Sequence, residues 1–173
     1  MRFVTFSRKN QQRLGLMGPQ EQIIDLAEVN RRYLKGGNAP FLASMQAFIE
    51  AGAKAVQVAR KAEKYVAGKN SDEQKKLVSV GALVKPTQAK IIAPIPQPKK
   101  NCVMLGINYK EHVDEGARAR SLEIKYPEWP VFFTKPATSV IGQQGKVINH
   151  KCTTKLDWEV ELAVVIGRRG RDI

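Results

Sequence analysis

Asp157-Trp158-Glu159-Val160-Glu161-Leu162-Ala163-Val164-Val165-Ile166-Gly167 is the stretch that says most about the architecture. Its alternating and β-branched apolar residues predict a strand over residues 159–166, stopped by Gly167. Successive side chains on a strand point to opposite faces. Glu159 and Glu161 therefore share one face, and Val160, Leu162, Val164 and Ile166 fill the other. The glutamate face continues into Ala163 and Val165, so its polarity is confined to one end. Two carboxylates this close repel, and burying them is costly. A divalent cation removes both problems. Carboxylate oxygens are hard donors, which favours Mg²⁺, with Mn²⁺ or Ca²⁺ as substitutes, over zinc. An edge strand with two solvated glutamates has the same spacing, and spacing alone does not separate the two readings.

Upstream, Pro130-Val131-Phe132-Phe133 predicts another strand, ending at Lys135-Pro136. Cys102-Val103-Met104-Leu105-Gly106 predicts a buried one, and Val147-Ile148 a fragment. Between the first two, Asn108 is placed as a helix N-cap with Glu111 at the third helical position, a capping-box pattern. His112 and Glu115, three apart, share a face of that helix. A glutamate beside an imidazole orients the ring and raises its basicity, which suits a general base that activates water. A solvated surface pair has the same spacing. His112 is one of two histidines and the better candidate base. Lys135, at a strand end, is placed to hold a substrate carboxylate or enolate oxygen, or simply to face water. Arg118 and Arg120 offer weaker carboxylate contacts, because a helix C-terminus attracts arginine anyway.

The first part of the chain reads differently. Residues 1–18 predict a hairpin, with Val4 and Phe6 alternating against polar neighbours and residues 13–17 as the return strand. Ile23-Ile24-Asp25-Leu26 is a third short strand or the lead into a helix over residues 27–34. Ser44 is placed as the N-cap of a helix over 45–51 that Gly52 stops. Residues 54–66 form an amphipathic helix. Gly68 to Lys76 reads as polar connection. Ala93-Pro94-Ile95-Pro96-Gln97-Pro98 is extended and unfit for a central strand. The expected fold class is α+β: a small N-terminal α/β domain at 1–70, a linker at 71–90, and at 91–173 the first part of a mixed, β-rich domain.

Composition bounds the rest. The net charge of +13 raises nucleic acid as a partner, yet it is spread thinly. Residues 1–100 carry 18 Lys and Arg against 7 Asp and Glu, and residues 101–173 carry 11 against 9. No aromatic-basic interleaving accompanies the excess, so a solvated basic surface is expected and nucleic acid is not. No apolar run approaches the ~20 residues of a membrane span, so no membrane partner is expected. The N-terminus lacks a signal-peptide pattern, which leads to the cytoplasm as the expected location. Cys102 and Cys152 form no disulfide framework and are expected as reduced, partly buried thiols. His150 and Cys152 lack the second ligand pair that zinc needs.

The order of the chemistry-bearing pieces adds a resemblance. Gly106-Ile107-Asn108-Tyr109-Lys110-Glu111-His112-Val113-Asp114-Glu115 is similar to the G-x-N-Y-x-x-H-x-x-E segment of the fumarylacetoacetate hydrolase family. Pro130-Val131-Phe132-Phe133-Thr134-Lys135-Pro136 resembles its P-x-x-F-x-K-P segment. Residues 157–167 resemble its D-x-E-x-E-L-x-x-V-I-G segment. With Ile95-Pro96-Gln97-Pro98, which fits the family's entry to its catalytic domain, the resemblance covers roughly residues 91–173.

That resemblance implies a β-rich catalytic fold, a homodimer when full length, and a metal held by two glutamates and a later aspartate. Glu159 and Glu161 match the glutamates, and His112 and Glu115 match a His/Glu pair that activates water. Lys135 matches a motif lysine, with Tyr109 and Arg118 as substrate contacts. The implied substrates are small 2-oxo acids, such as acylpyruvates or fumarylacetoacetate-like 1,3-dicarbonyls met in aromatic catabolism. The implied route is a metal-bound enolate, leading to hydrolysis, isomerisation or decarboxylation. The chain departs from the family in stopping soon after this strand, before the third carboxylate. Asp172 is too near Glu161 to stand in for it. The expectation is a truncated chain, with an inactive or binding-only fragment of the same fold as the alternative.

Overall fold

A computed structural model describes residues 1–173. The fold is α+β, with five α-helices and two antiparallel sheets. Two compact units are present, Met1–Pro96 with Ile141–Ile173, and Gln97–Val140.

The first unit begins with the expected hairpin, β1 (Phe3–Arg8) and β2 (Gln11–Met17). Lys9 and Asn10 close it in the left-handed region, with φ of 50° and 60°. β3 (Ile23–Asp25) pairs with β2 and runs directly into α1 (Leu26–Tyr33). α2 (Met45–Ala51) is capped by the Ser44 hydroxyl, which accepts from the Ala47 N–H, and stops at Gly52. α3 (Ala53–Ala67) follows at once.

Residues 71–90 are not a linker. They form α4 (Ser71–Ser79), β4 (Leu83–Val84) and β5 (Lys90–Ile91), and bury Leu77, Leu83 and Val84. The sequence held the signal for α4. Asn70 and Glu73 make a reciprocal capping box, the Asn70 side chain accepting from Glu73 N and the Glu73 carboxylate from Asn70 N. The polar composition of 68–76 belongs to a solvated helix start.

The sheet order is β4-β3-β2-β1-β5. Register explains its two faces. Leu16 lies opposite Ile24, and Ile24 opposite Leu83, on the face that packs with Leu26, Val29, Phe48, Ala59 and Val66 of the helices. Small residues Ala55, Ala59 and Ala62 let α3 lie close. The opposite face holds a smaller cluster of Phe6, Ile23 and Val84, with Ile91 against it. Gly15 sits in that face, and an added Cβ would overlap Ile23 Cγ2 and lie 3.0 Å from Phe6 Cε1. Gly15→Ala should therefore cost about 1–3 kcal/mol by overpacking. A urea midpoint unchanged from wild type would contradict this.

The second unit contains β6 (Cys102–Gly106), α5 (Lys110–Ala119) and β7 (Val131–Lys135). β6 and β7 pair antiparallel, Cys102 opposite Lys135 and Gly106 opposite Val131. No residue of α5 or β7 is buried.

The segment 141–173 departs most from expectation. Gly142 passes against Ile92 and Ala93, where a Cβ would lie 2.8 Å from Ala93 N. Beyond it neither Val147-Ile148 nor residues 159–166 form a strand. Val160, Leu162 and Val164 are 81%, 83% and 75% exposed. A strand exists only within a ladder that satisfies its backbone groups. Among these 173 residues the two sheets are formed by β1–β5 and β6–β7, and neither extends to this segment. No helix is long and apolar enough to cross a membrane.

Candidate active site

α5 carries three of the candidate side chains, His112, Glu115 and Arg118. It starts at Lys110 with Tyr109 as N-cap, and no side chain caps it. Asn108 is not the cap, because Ile107 takes a left-handed φ of 53° and shifts the helix entry by one residue. Tyr109 instead supplies its carbonyl to the His112 and Val113 N–H groups, at 3.1 and 3.2 Å. His112 and Glu115 lie three apart on the exposed side of α5, and no hydrogen bond joins them. The pair shares a face as expected and leaves both side chains open to a ligand. Arg118 donates through Nε to the Asp114 carbonyl at 3.1 Å, which fixes it along its own helix.

Tyr126 was not picked out by sequence. Its hydroxyl donates to Asp114 Oδ1 at 2.7 Å, and the Lys110 ammonium stands 5.8 Å from its ring centroid. That bond ties the loop after α5 back to the helix. The hydrogen bond to Asp114, then burial, push the Tyr126 phenol above its usual range. The signal for this pairing was absent from local spacing, since twelve residues separate the partners.

Lys135 ends β7 opposite Cys102, while α5 departs from the Gly106 end of the same hairpin. Four residue steps separate those ends, about 14 Å of strand. The Lys135 ammonium lies 6.0 Å from the Phe133 ring centroid, on the face shared by Val131 and Phe133. Cys102 is half-buried, whereas Cys152 is exposed rather than partly buried.

Glu159 and Glu161 are exposed and lie outside any helix or strand. No group of three or more His, Cys, Asp and Glu side chains is arranged to hold a metal ion. The donor set fits a hard divalent cation in kind, through two carboxylates at i and i+2. Such a cation takes six or more oxygen ligands, so water and substrate would supply the balance.

A different polar cluster is tightly built. Asp25, fully buried, accepts from Arg13 Nε and from Arg13 Nη2, the latter at 3.0 Å, and from the Glu28 N–H at 3.1 Å as the cap of α1. Glu28 also receives Arg31 and Arg32 at 2.7 and 2.8 Å. The hydrogen bond to Asp25 raises the Arg13 guanidinium, against the opposing pull of burial. For Glu28, burial pushes the carboxyl up, but hydrogen bonds from Arg32 and Arg31 outweigh it and hold it below the usual range. A folded pKa below the unfolded one gives stability that is present above the unfolded value and lost as pH falls through the folded one. The urea midpoint should therefore fall between about pH 5 and pH 3. Glu28→Gln should flatten that slope, and an equal slope in both proteins would contradict the assignment.

Comparison with known proteins now bears on the motifs. Residues 101–173 match the family model for the fumarylacetoacetate hydrolase C-terminal region. The chain belongs to the fumarylacetoacetate hydrolase family. An oxaloacetate tautomerase of Bacillus subtilis (strain 168) is 33% identical over 174 residues, covering all of this chain and 54% of that protein. A mitochondrial oxaloacetate tautomerase of Homo sapiens is 31% identical over 130 residues, which is 75% of this chain and 35% of that protein. One from Bos taurus is 36% identical over 87 residues, half of this chain and 26% of that protein. The chain spans about half the length of the curated relative that it matches throughout.

Proposed function

We propose that this chain carries proton-moving and metal-holding residues of an enzyme that tautomerises small 2-oxo acids of the oxaloacetate type. The observation that carries the reading is the similarity of this whole chain to 54% of an oxaloacetate tautomerase, with the motif segments in family order.

Tautomerisation moves one proton from carbon to oxygen and leaves the formula unchanged. The base takes a proton from the carbon beside the 2-oxo group, and an acid returns one to the oxo oxygen. His112 is the proposed base, its imidazole exposed on α5 and its backbone N–H donating to the Tyr109 carbonyl. Glu115, on the same face, orients the ring once substrate is present. Lys135 holds a substrate carboxylate, and Tyr109 and Arg118 offer polar contacts from the α5 end of the hairpin. Glu159 and Glu161 would hold Mg²⁺, or Mn²⁺ or Ca²⁺, which supplies Lewis-acid stabilisation of the developing negative charge at the oxo oxygen. We place the working form as a homodimer, as the family resemblance implies.

Hydrolysis of a carbon–carbon bond in a 1,3-dicarbonyl is the second reading, favoured by the description of the matching family model. There the His112/Glu115 pair would draw a proton from water instead of from carbon. Enol-to-keto conversion of oxaloacetate, followed by ultraviolet absorbance with and without Mg²⁺, tests the first reading. We expect acceleration over buffer that needs the metal and is lost on chelation. Cleavage of an acylpyruvate without oxaloacetate tautomerisation would favour hydrolysis, and neither reaction would overturn both.

A further inference from the structure

A basic recess of about 250 Å³ lies within residues 8–81, and none of its lining residues is one used above for catalysis. Three distant stretches build it: the β1–β2 turn with the first part of β2, one side of α1 with its Asp25 cap, and the end of α4 with Gly81. Arg8, Lys9, Arg13 and Arg32 face it with only Asp25 and Glu28 in opposition. Those two carboxylates are already committed. Asp25 is filled by Arg13 and the Glu28 N–H, and Glu28 is held by Arg13, Arg31 and Arg32.

The uncommitted donors are what matter. Neither Arg8 nor Lys9 forms an ion pair. Arg13, which lines the recess, makes its bonds to Asp25 and Glu28 through Nε and Nη2, and Nη1 is not used in them. Gly81, at φ of 77°, lets the Arg8 guanidinium lie close over the backbone, and a Cβ there would come within 2.6 Å of Arg8 Nη1. The Lys9 side chain is projected from a turn whose residues are fixed in the left-handed region. The ion pair with buried Asp25 holds Arg13 in place, so that this donor is preorganised.

We propose that this recess binds a small oxyanion, a carboxylate or phosphoryl group, through Arg8, Lys9 and Arg13. Guanidinium groups match both chemistries because their N–H donors meet two oxygens at once. The site shares no residue with the proposed catalytic set, and its test does not depend on activity.

Amide chemical shifts of the full chain, in metal-free buffer, read it directly. Inorganic phosphate and succinate are titrated separately, with sodium chloride at matched ionic strength as control. We expect saturable shifts at Arg8, Lys9 and Gly81, with phosphate alone, succinate alone, or both identifying the oxyanion. Arg8→Gln should weaken binding at least tenfold, and Lys9→Gln, in an exposed turn where the fold is untouched, by a smaller factor. Shifts no larger than those of chloride would overturn the proposal, as would unchanged affinity in both variants.

Discussion

Replacing Glu159 and Glu161 together by glutamine should lower Mg²⁺-dependent tautomerisation of oxaloacetate by at least about 100-fold. The change keeps side-chain length and removes two negative charges. Neutral amides are poor partners for Mg²⁺, which selects charged oxygen ligands. The residual rate should no longer respond to added metal. Either single replacement should weaken metal binding and leave partial response at high Mg²⁺. Neither glutamate contributes to the hydrophobic core, so the urea midpoint of the double variant should match wild type. Full metal-dependent turnover in the double variant would remove both residues from the site.

The second large effect concerns stability. Arg13→Met should destabilise the N-terminal unit by about 3–5 kcal/mol, because it leaves a buried carboxylate without its cation. Asp25 is fully buried, whereas Arg13 keeps 24% of its side chain exposed, so the stranded charge is the aspartate. Glu28 N still donates to it but cannot neutralise it. Adding Asp25→Asn to Arg13→Met should recover part of the loss. Asparagine serves equally well as a helix cap and carries no charge. Urea unfolding of the three proteins decides this, and a double variant less stable than Arg13→Met would contradict it.

This cluster also shows what the sequence concealed. Asp25 was read as strand or helix lead, and it is both, closing β3 and capping α1. Its partner Arg13 is twelve residues away on β2, brought close by the register that sets Gly15 opposite Asp25. No local pattern announces such a pair. The hairpin, α2 with its Ser44 cap, and α3 were legible because their signals lie within one turn or one strand. The capping box of Asn70 and Glu73 was equally local, but polar composition masked it.

The candidate site was legible as chemistry and only partly as structure. His112 and Glu115 share a helix face as their spacing requires. Lys135 ends its strand as expected. Residues 159–166 have strand-forming composition, yet composition gives no ladder. Trp158, Val160 and Ile166 stay about 80% exposed, while the buried core lies wholly within residues 5–93. The driving force for ordering those residues, burial of that apolar area, is thus not realised within these 173 residues. The relative matched throughout is nearly twice as long.

Calorimetric titration of the chain with Mg²⁺, alone and with oxalate as a 2-oxo acid mimic, tests the metal assignment most directly. We expect saturable Mg²⁺ binding that tightens with oxalate and vanishes when Glu159 and Glu161 are both glutamine. Identical Mg²⁺ binding by wild type and the double variant, or no binding by wild type in the presence of oxalate, would contradict it.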